Sequence, residues 1–363
     1  MPFAERMPGG RWRDLAVSAL KEAVFATDGS GHPLPAPVRI LTASTWDLTG
    51  ATQVHARDDA SGAWIAATLA QDPPSPNFLP QIRGFGAHRD RVTGADLVFA
   101  GQDPRGIFSG TYDPAAAGRI HWSAAPERDL AQVAAEGISG RNGYLRVTSF
   151  AEANGRLYAA VGQHIYERID GAAPGWRLVY TNPRPGHSET GLRGLTAVPG
   201  AGGEALLAAV EGSAARIIRI DPATGGEATE IDLVDFLGRS WGERVGYTIA
   251  AYNDMTKLGD AILFGVMSFI PRTTAIAAGH AAVDVGYGQV ESGAWYLVRW
   301  PGGRYELRQV AVASPRPLVA TRAICASPFA GGTIYFAGYD ANKAPAHDTA
   351  WIAHASTSVA LGR

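Results

Sequence analysis

The sequence predicts an all-β chain folded as a single β-propeller. Two observations lead there. The first is a repeated two-strand unit: "RGFGAHRD…GADLVFAGQD" from Arg83, "RVTSFAEANGRLYAAVGQH" from Arg146, "RGLTAVPGAGGEALLAAVEG" from Arg193 and "RAICASPFAGGTIYFAGYD" from Arg322. Each copy is an Arg, a short apolar strand, a Gly-bearing turn, a second apolar strand and a polar cluster. A unit repeated in this way cannot bury its faces alone, and stacking copies around an axis solves the problem. The second is composition: 44 glycines and 23 prolines suit many tight turns, and 46% hydrophobic residues suffice for a continuous core.

The elements follow in order. Residues 1–12 read as a flexible arm. "DLAVSALKEAVFATDG" is ambiguous between helix and strand, although "AVFAT" favours a strand. "PVRILTASTWD", "ATQVHARD" and "AWIAATLA" complete a first blade, and "QDPPSPNFLP" crosses the rim. The second blade runs from Ile82 to Trp122, with a turn at Tyr112-Asp113-Pro114, and "APERDLAQVAAEGISGRNG" reads as a short connecting helix. The third blade is the cleanest, with four strands from "YLRVTSF" to "WRLVYT". The fourth runs from "LRGLTAV" to "EATEIDL". The fifth opens with "YTIAAYNDMTKLGDAILFGVMSF" and is interrupted by an excursion from Ile270 to Glu291, before "GAWYLVRWPGGRYELRQVAV". The sixth keeps only three strands, so an N-terminal strand would close the ring and remove free sheet edges. Six blades are expected, or seven if the first fifty residues hold further strands. No linker divides the 363 residues, so one domain is expected over 1–363.

Several classes are disfavoured. A formal net charge of -2 argues against nucleic acid and anionic membranes as partners. A small molecule or saccharide is the expected ligand, and oligomeric state is open. The single cysteine, Cys325, excludes an internal disulfide and a multi-thiolate zinc site. It lies in an apolar strand pattern and reads as a small buried hydrophobe. No window reaches the roughly 18 apolar residues a membrane span needs. The N-terminus lacks the pattern of a signal peptide. A cytoplasmic location is expected, or a secreted or periplasmic one with the leader removed.

On a propeller the loops that lead into the innermost strands, and those that follow the second strands, share one face. Ligands usually bind there, where the loops converge over a rigid base. The starts of the inner strands offer Arg83, Arg146, Arg193 and Arg322, with His187 and Glu189 in the fourth blade and Arg244 and Tyr247 in the fifth. The ends of the second strands offer Gln102-Asp103, Gln163-His164, Glu211 and Tyr339-Asp340. The excursions add His280, Lys343 and His347. Recurring guanidinium groups would clamp an anionic or polyhydroxylated ligand. Alternatively, each would pair with an acid such as Asp103, Glu189 or Asp340 and tie the blades together. His88, His187, His280 and His347 fall in or near loops of several blades and would converge on a transition metal.

Two resemblances add to this reading. The blade pattern as a whole resembles β-propeller proteins. "YNDMTKLGDAILFGVM" (Tyr252 to Met267), with "GAWYLVRWPGGRY" and "ASPFAGGTIYFAGYD", is similar to the SMP-30/gluconolactonase-like six-bladed propellers. That resemblance, covering residues 245–340, implies a divalent cation such as calcium at the channel mouth, which polarises a lactone or ester. Carried over residue by residue, it supplies Asn253. The cofactor is thus open, the candidates being calcium or a histidine-bound transition metal. Three functions compete. The first is a hydrolase or lyase with Arg193 or Arg322 as clamp, His187 as base and Tyr339 or Tyr247 as acid. The second is a saccharide-binding propeller using Trp46, Trp241 and Trp300. The third is a protein-interaction propeller of the WD or kelch type, whose Gly-His and Trp-Asp signature does not recur from blade to blade here.

Overall fold

Apolar runs without alternation make strands that are buried on both faces, and a sheet wedged between two neighbours needs such strands. The chain supplies them. The structure, a computed structural model, describes residues 3–5, 16–46, 52–58, 64–66, 69, 81–103, 105–135, 145–184, 191–238, 247–258, 261–271, 287–299, 305–309, 320–326, 333–339 and 351–356. It is almost entirely strand.

Strand β1 (Phe3–Glu5) comes first in sequence but belongs to the last sheet. The first sheet holds β2 (Ala16–Thr27), β3 (Pro33–Trp46), β4 (Thr52–Asp58) and β5 (Trp64–Ala66) in that order. The second holds β6 (Gln81–Arg89), β7 (Asp96–Asp103), β8 (Gly106–Tyr112), β9 (Ile120–Trp122) and β10 (Arg128–Asp129), the last two both pairing with β8. Helix α1 (Leu130–Ala135) then leads towards β11 (Val147–Ala153), β12 (Arg156–Val161), β13 (His164–Ile169) and β14 (Gly175–Thr181). The fourth sheet is β15 (Leu192–Gly200), β16 (Gly203–Val210), β17 (Arg216–Ile220) and β18 (Glu227–Asp232), followed by α2 (Leu233–Gly238). The fifth is β19 (Tyr247–Leu258), β20 (Ala261–Pro271), β21 (Tyr287–Arg299) and β22 (Tyr305–Gln309). The sixth is β23 (Ala320–Ala326), β24 (Thr333–Tyr339) and β25 (Trp351–Ser356), with β1 along its outer edge.

All neighbouring strands pair antiparallel. The first strands of the six sheets, β2, β6, β11, β15, β19 and β23, each touch the next, and β23 touches β2. The sheets therefore close into a β-propeller. Burial follows this plan: β7 is buried at every residue, whereas the outermost β18 has none buried. The core is a set of layers between sheets. Phe25 and Ile40 meet Phe85 and Val98 between the first two blades, and Phe99 meets Phe150 and Trp176 between the second and third. No helix among the described residues is long and apolar enough to cross a membrane.

Three expectations change. The arm expected over residues 1–12 contains β1, because the outer edge of the sixth sheet needs a partner; Ala4 pairs with Ala353. The ambiguous segment is strand throughout Ala16–Thr27, since tertiary burial on both faces overrides the helical spacing. The excursion expected from Ile270 to Glu291 is narrower: its flanks extend the hairpin of β20 and β21, with Pro271 opposite Tyr287. His280 lies outside the described residues.

The inner strands share a device that the repeat pattern conceals. Each carries a β-bulge near its start, between Val17 and Ala19, Ile82 and Gly84, Val147 and Ser149, Arg193 and Leu195, Ala250 and Met255, and Thr321 and Ala323. An extra residue bends and twists a strand where it stands. At this level neighbouring blades come within backbone contact. A Cβ on Gly84 would lie 2.8 Å from the Thr148 carbonyl oxygen, and one on Gly194 would lie 2.4 Å from the Ala251 Cβ. Gly194 also takes φ +55°, which glycine adopts without penalty.

Gly101→Ala would drive a Cβ to 2.5 Å from the Val147 side chain, so we expect a loss of about 1–3 kcal/mol in urea unfolding. Gly202→Ala, with nothing within 4 Å, should stay within about 0.5 kcal/mol of the parent.

Candidate functional site in the propeller channel

The upper face carries the starts of the inner strands and the ends of the second strands. Its described arginines are engaged. Arg83, the bulge residue of β6, is 6% exposed and donates from Nε to Asp103 Oδ2 at 2.8 Å. Arg146, just before β11, places its Nε 3.7 Å from the same oxygen. Asp103 thereby links the second and third blades. Arg193 donates to Glu211 at the end of the fourth blade's second strand, and both are buried. The pairing of repeated arginines with acids at the strand ends is thus what these three make. A guanidinium already committed to a carboxylate is a poor clamp for a second anion.

His164, at the start of β13, is 9% exposed, with Nδ1 3.0 Å from Thr181 Oγ1. Burial lowers its pKa and keeps the ring neutral. Tyr247 and Asn253 lie on β19, Arg322 in the bulge of β23, and Tyr339 at the end of β24. His187, Glu189, Asp340 and His347 lie outside the described residues, as do Arg244, Trp241, Trp300 and Lys343. His88 is not in a loop. It sits in β6, with Nδ1 3.0 Å from Glu152 and Nε2 3.0 Å from Asp170. Both nitrogens are occupied, so it is unsuited to the histidine-metal site. Among the described residues no group of three metal-binding side chains occurs.

The sequence reading missed the interior. Lys21 and Glu22 on β2, Asp254 on β19 and Cys325 on β23 come from three inner strands and interact electrostatically. Asp254 ends the widest bulge, where residues 251–254 are inserted between the pairs Ala250–Val266 and Met255–Phe264. It is 6% exposed, and its Oδ1 accepts the Met255 N–H at 2.9 Å. Burial raises its pKa from 3.8 to about 7, against the opposing pull of Lys21. Burial also pushes the Cys325 thiol up to about 12, so it stays protonated and inert, as its apolar setting implied. The available signal for this cluster was a charged pair, Lys21-Glu22, in the middle of an otherwise apolar strand.

Below the bulges the strands leave room. A cavity of about 320 Å³ is lined by β2, β6 and β11 with the first residues of their partners, among them Glu22, His88, Asp96 and Glu152. The lining includes Val24, Arg89 and Leu157, which lie towards the hairpin ends of their strands. It therefore belongs to the lower face, opposite the one the sequence reading favours. Ionic ties continue at that face: Arg168 bonds Asp90, Glu127 and Asp170 at 2.9, 2.9 and 2.7 Å.

The chain matches no protein-family model and no curated protein, so the narrower likeness to gluconolactonase-like propellers gains no support. It is similar to solved structures. One is a protein of unknown function from Dyadobacter fermentans, at 9% identity and TM-score 0.51 over 98% of both chains. Another is the fucose-recognising six-bladed propeller lectin of Aleuria aurantia, at 14% identity and TM-score 0.43 over 95% of this chain and 98% of that one. A third is Trypanosoma rangeli sialidase, at 12% identity and TM-score 0.45, covering 93% of this chain and 55% of that one. At such identities the likeness concerns the fold alone.

Asp254 gives a pH signature. Between pH about 4 and about 7 the folded chain holds a proton that the unfolded chain has released, so this group's contribution to stability falls as pH rises through that window. Comparing urea midpoints at pH 5 and pH 8, we expect the parent to lose more stability than Asp254→Asn over this interval. Separately, Arg193→Met should cost about 3–5 kcal/mol, because it removes the guanidinium from the buried Glu211.

Proposed function

We propose that the protein is an enzyme, a hydrolase or lyase, that takes a small or oligomeric polyhydroxylated or anionic substrate at the upper mouth of the channel. The observation that carries this reading is Asp254. It is a carboxyl group held in the ring's interior by the β19 bulge, next to Asn253, and it titrates near neutrality. A group with a pKa near the working pH both accepts and returns a proton efficiently. A four-residue bulge is also how a strand re-aims side chains beside a reaction site.

In this reading Asp254 moves the proton, with Lys21 tuning it. His187 is the candidate base from the loop before β15, and Tyr247 or Tyr339 the acid. Arg322, Glu189, His164, Asp340 and His347 would contact the substrate from the rim. A divalent cation, if used, would be held through Asn253. Arg83 and Arg193 support the rim through their buried carboxylate pairs.

The test is turnover by the full chain on chromogenic glycosides, lactones and uronate-containing oligosaccharides. The rate should follow a pH limb near 7. Asp254→Asn should lower kcat by about 10²-fold or more and abolish that limb. Near-parental turnover in this variant would overturn the role of Asp254, and near-normal turnover in His187→Ala would remove His187. Saturable glycan binding without turnover of any substrate would favour a saccharide-binding propeller instead.

A further inference from the structure

The bridge at His88 has one fixed end and one movable end. The imidazole is fully buried, with Nδ1 3.0 Å from Glu152 Oε1 and Nε2 3.0 Å from Asp170 Oδ1. A carboxylate only accepts hydrogen bonds, so both contacts are bonds only when both ring nitrogens carry hydrogen. That form is the imidazolium, and the uncharged ring keeps one bond of the two. The two acceptors differ in freedom. The Asp170 side chain is 2% exposed and is held as well by Arg91 at 2.6 Å and Arg168 at 2.7 Å. Burial opposes its charge, yet Arg91 and His88 keep its carboxyl below the usual range. The Glu152 side chain is 48% exposed, and among the described residues its one side-chain bond is the one to His88.

We propose that His88 and Glu152 form a pH-operated latch between the second and third blades, on the border of the lower cavity. The latch does not depend on the activity assigned to the upper mouth. In acid the imidazolium donates to both carboxylates of the third blade, and the latch is closed. As pH rises the ring gives up the Nδ1 proton, because the buried, fixed Asp170 retains the hydrogen on Nε2. The Nδ1 lone pair then faces the Glu152 carboxylate, and Glu152, already half exposed, turns out to water. Both residues line the cavity, so opening the latch changes its wall. The surrounding charges do not take over. Arg91 and Arg168 serve Asp170, and Arg168 also serves Asp90 and Glu127. Arg156 of β12 acts on Asp170 from farther off and is bonded to Glu167. From the cavity side β2 presents Lys21 and Glu22, β6 presents Arg89 and β7 presents Asp96. Among the described residues, no bond joins any of these four to His88 or Glu152.

The test uses the full chain at about pH 5 and about pH 9, on either side of the range in which imidazoles ordinarily titrate. Long-range proton–nitrogen NMR reads the His88 ring, its signals assigned by their loss in His88→Gln. We expect two N–H groups at the lower pH, and Nε2–H with a bare Nδ1 at the higher. Hydrogen exchange gives a second readout. Protection of the segment 150–156, corrected for intrinsic rates, should fall by about 10-fold between the two pH values, the loss of one bond to a charged group. The segment 205–210 of β16 serves as the reference for changes in global stability. In Glu152→Gln the fall should vanish, because an amide donates to a bare nitrogen or accepts from an N–H. This variant carries the test if His88→Gln does not fold. The proposal is overturned if the ring carries the same hydrogens at both pH values, or if Nδ1 keeps its hydrogen at the higher one. It is equally overturned if the segment 150–156 only follows the reference, or if Glu152→Gln shows the parental fall.

Discussion

The contact between neighbouring inner strands governs this molecule. Sheets that meet around one axis force their first strands closer than ordinary side chains permit. Among the described residues the chain meets this demand with a bulge in the inner strand of each sheet, and with glycine where backbones touch. Gly84 lets β6 lie against Thr148 and Ser149, and Gly101 makes room for Val147. Once the strands lie this close, hydrogen bonds cross between blades: the Thr148 hydroxyl donates to the Leu192 carbonyl at 2.6 Å, and Asp96 caps the end of β2 from the next sheet. The apolar layers between sheets then add burial on both faces of the inner strands of the second to fourth sheets.

Charge is used in the same service. Asp103 sits where the second and third blades meet and receives a guanidinium from each. On the lower face Arg168 collects three carboxylates, of which Asp90 belongs to the turn after β6 and Glu127 to the segment before β10. Buried ion pairs of this kind add little net stability over apolar packing, yet removing one partner is costly. Their value here is positional: together with the His88 bridge they fix the angle between the second and third sheets, which also share an apolar layer.

The repeat was legible because it is written in strand period and turn residues, which local physics reads directly. Arg83, Arg193 and their acids recur at fixed points of that repeat, so their meeting was open to inspection, including the pairing of Arg with acid. The bulges were not legible. An inserted residue leaves the apolar pattern nearly intact, and only register against the second strand reveals it. The four residues that face Gly265 alone before Met255 read simply as "AYND" in the sequence, although they bury Asp254. Nor was the meeting of Lys21, Glu22, Asp254 and Cys325 legible, for these residues lie up to about 300 positions apart and join only when the sixth sheet closes on the first.

The same constraint explains why the two ends of the channel differ. Bulges and glycines draw the strands together near their starts, so the interior there is filled and a carboxyl such as Asp254 is stripped of water. Towards the hairpin ends only β2 shifts register again, between Phe25 and Thr27, and β2, β6 and β11 surround the cavity. Glu22 lies at the transition, four residues beyond the Ser18 bulge, buried by the tight level above it and bordering the open space below. A strand that must be apolar to pack on both faces retains an acid at that point at a cost in stability. Its chain neighbour Lys21 lines the same cavity, and Asp254 and Cys325 feel that ammonium from the fifth and sixth sheets, so a charged pair of the first strand sits at the boundary between the filled level and the open one.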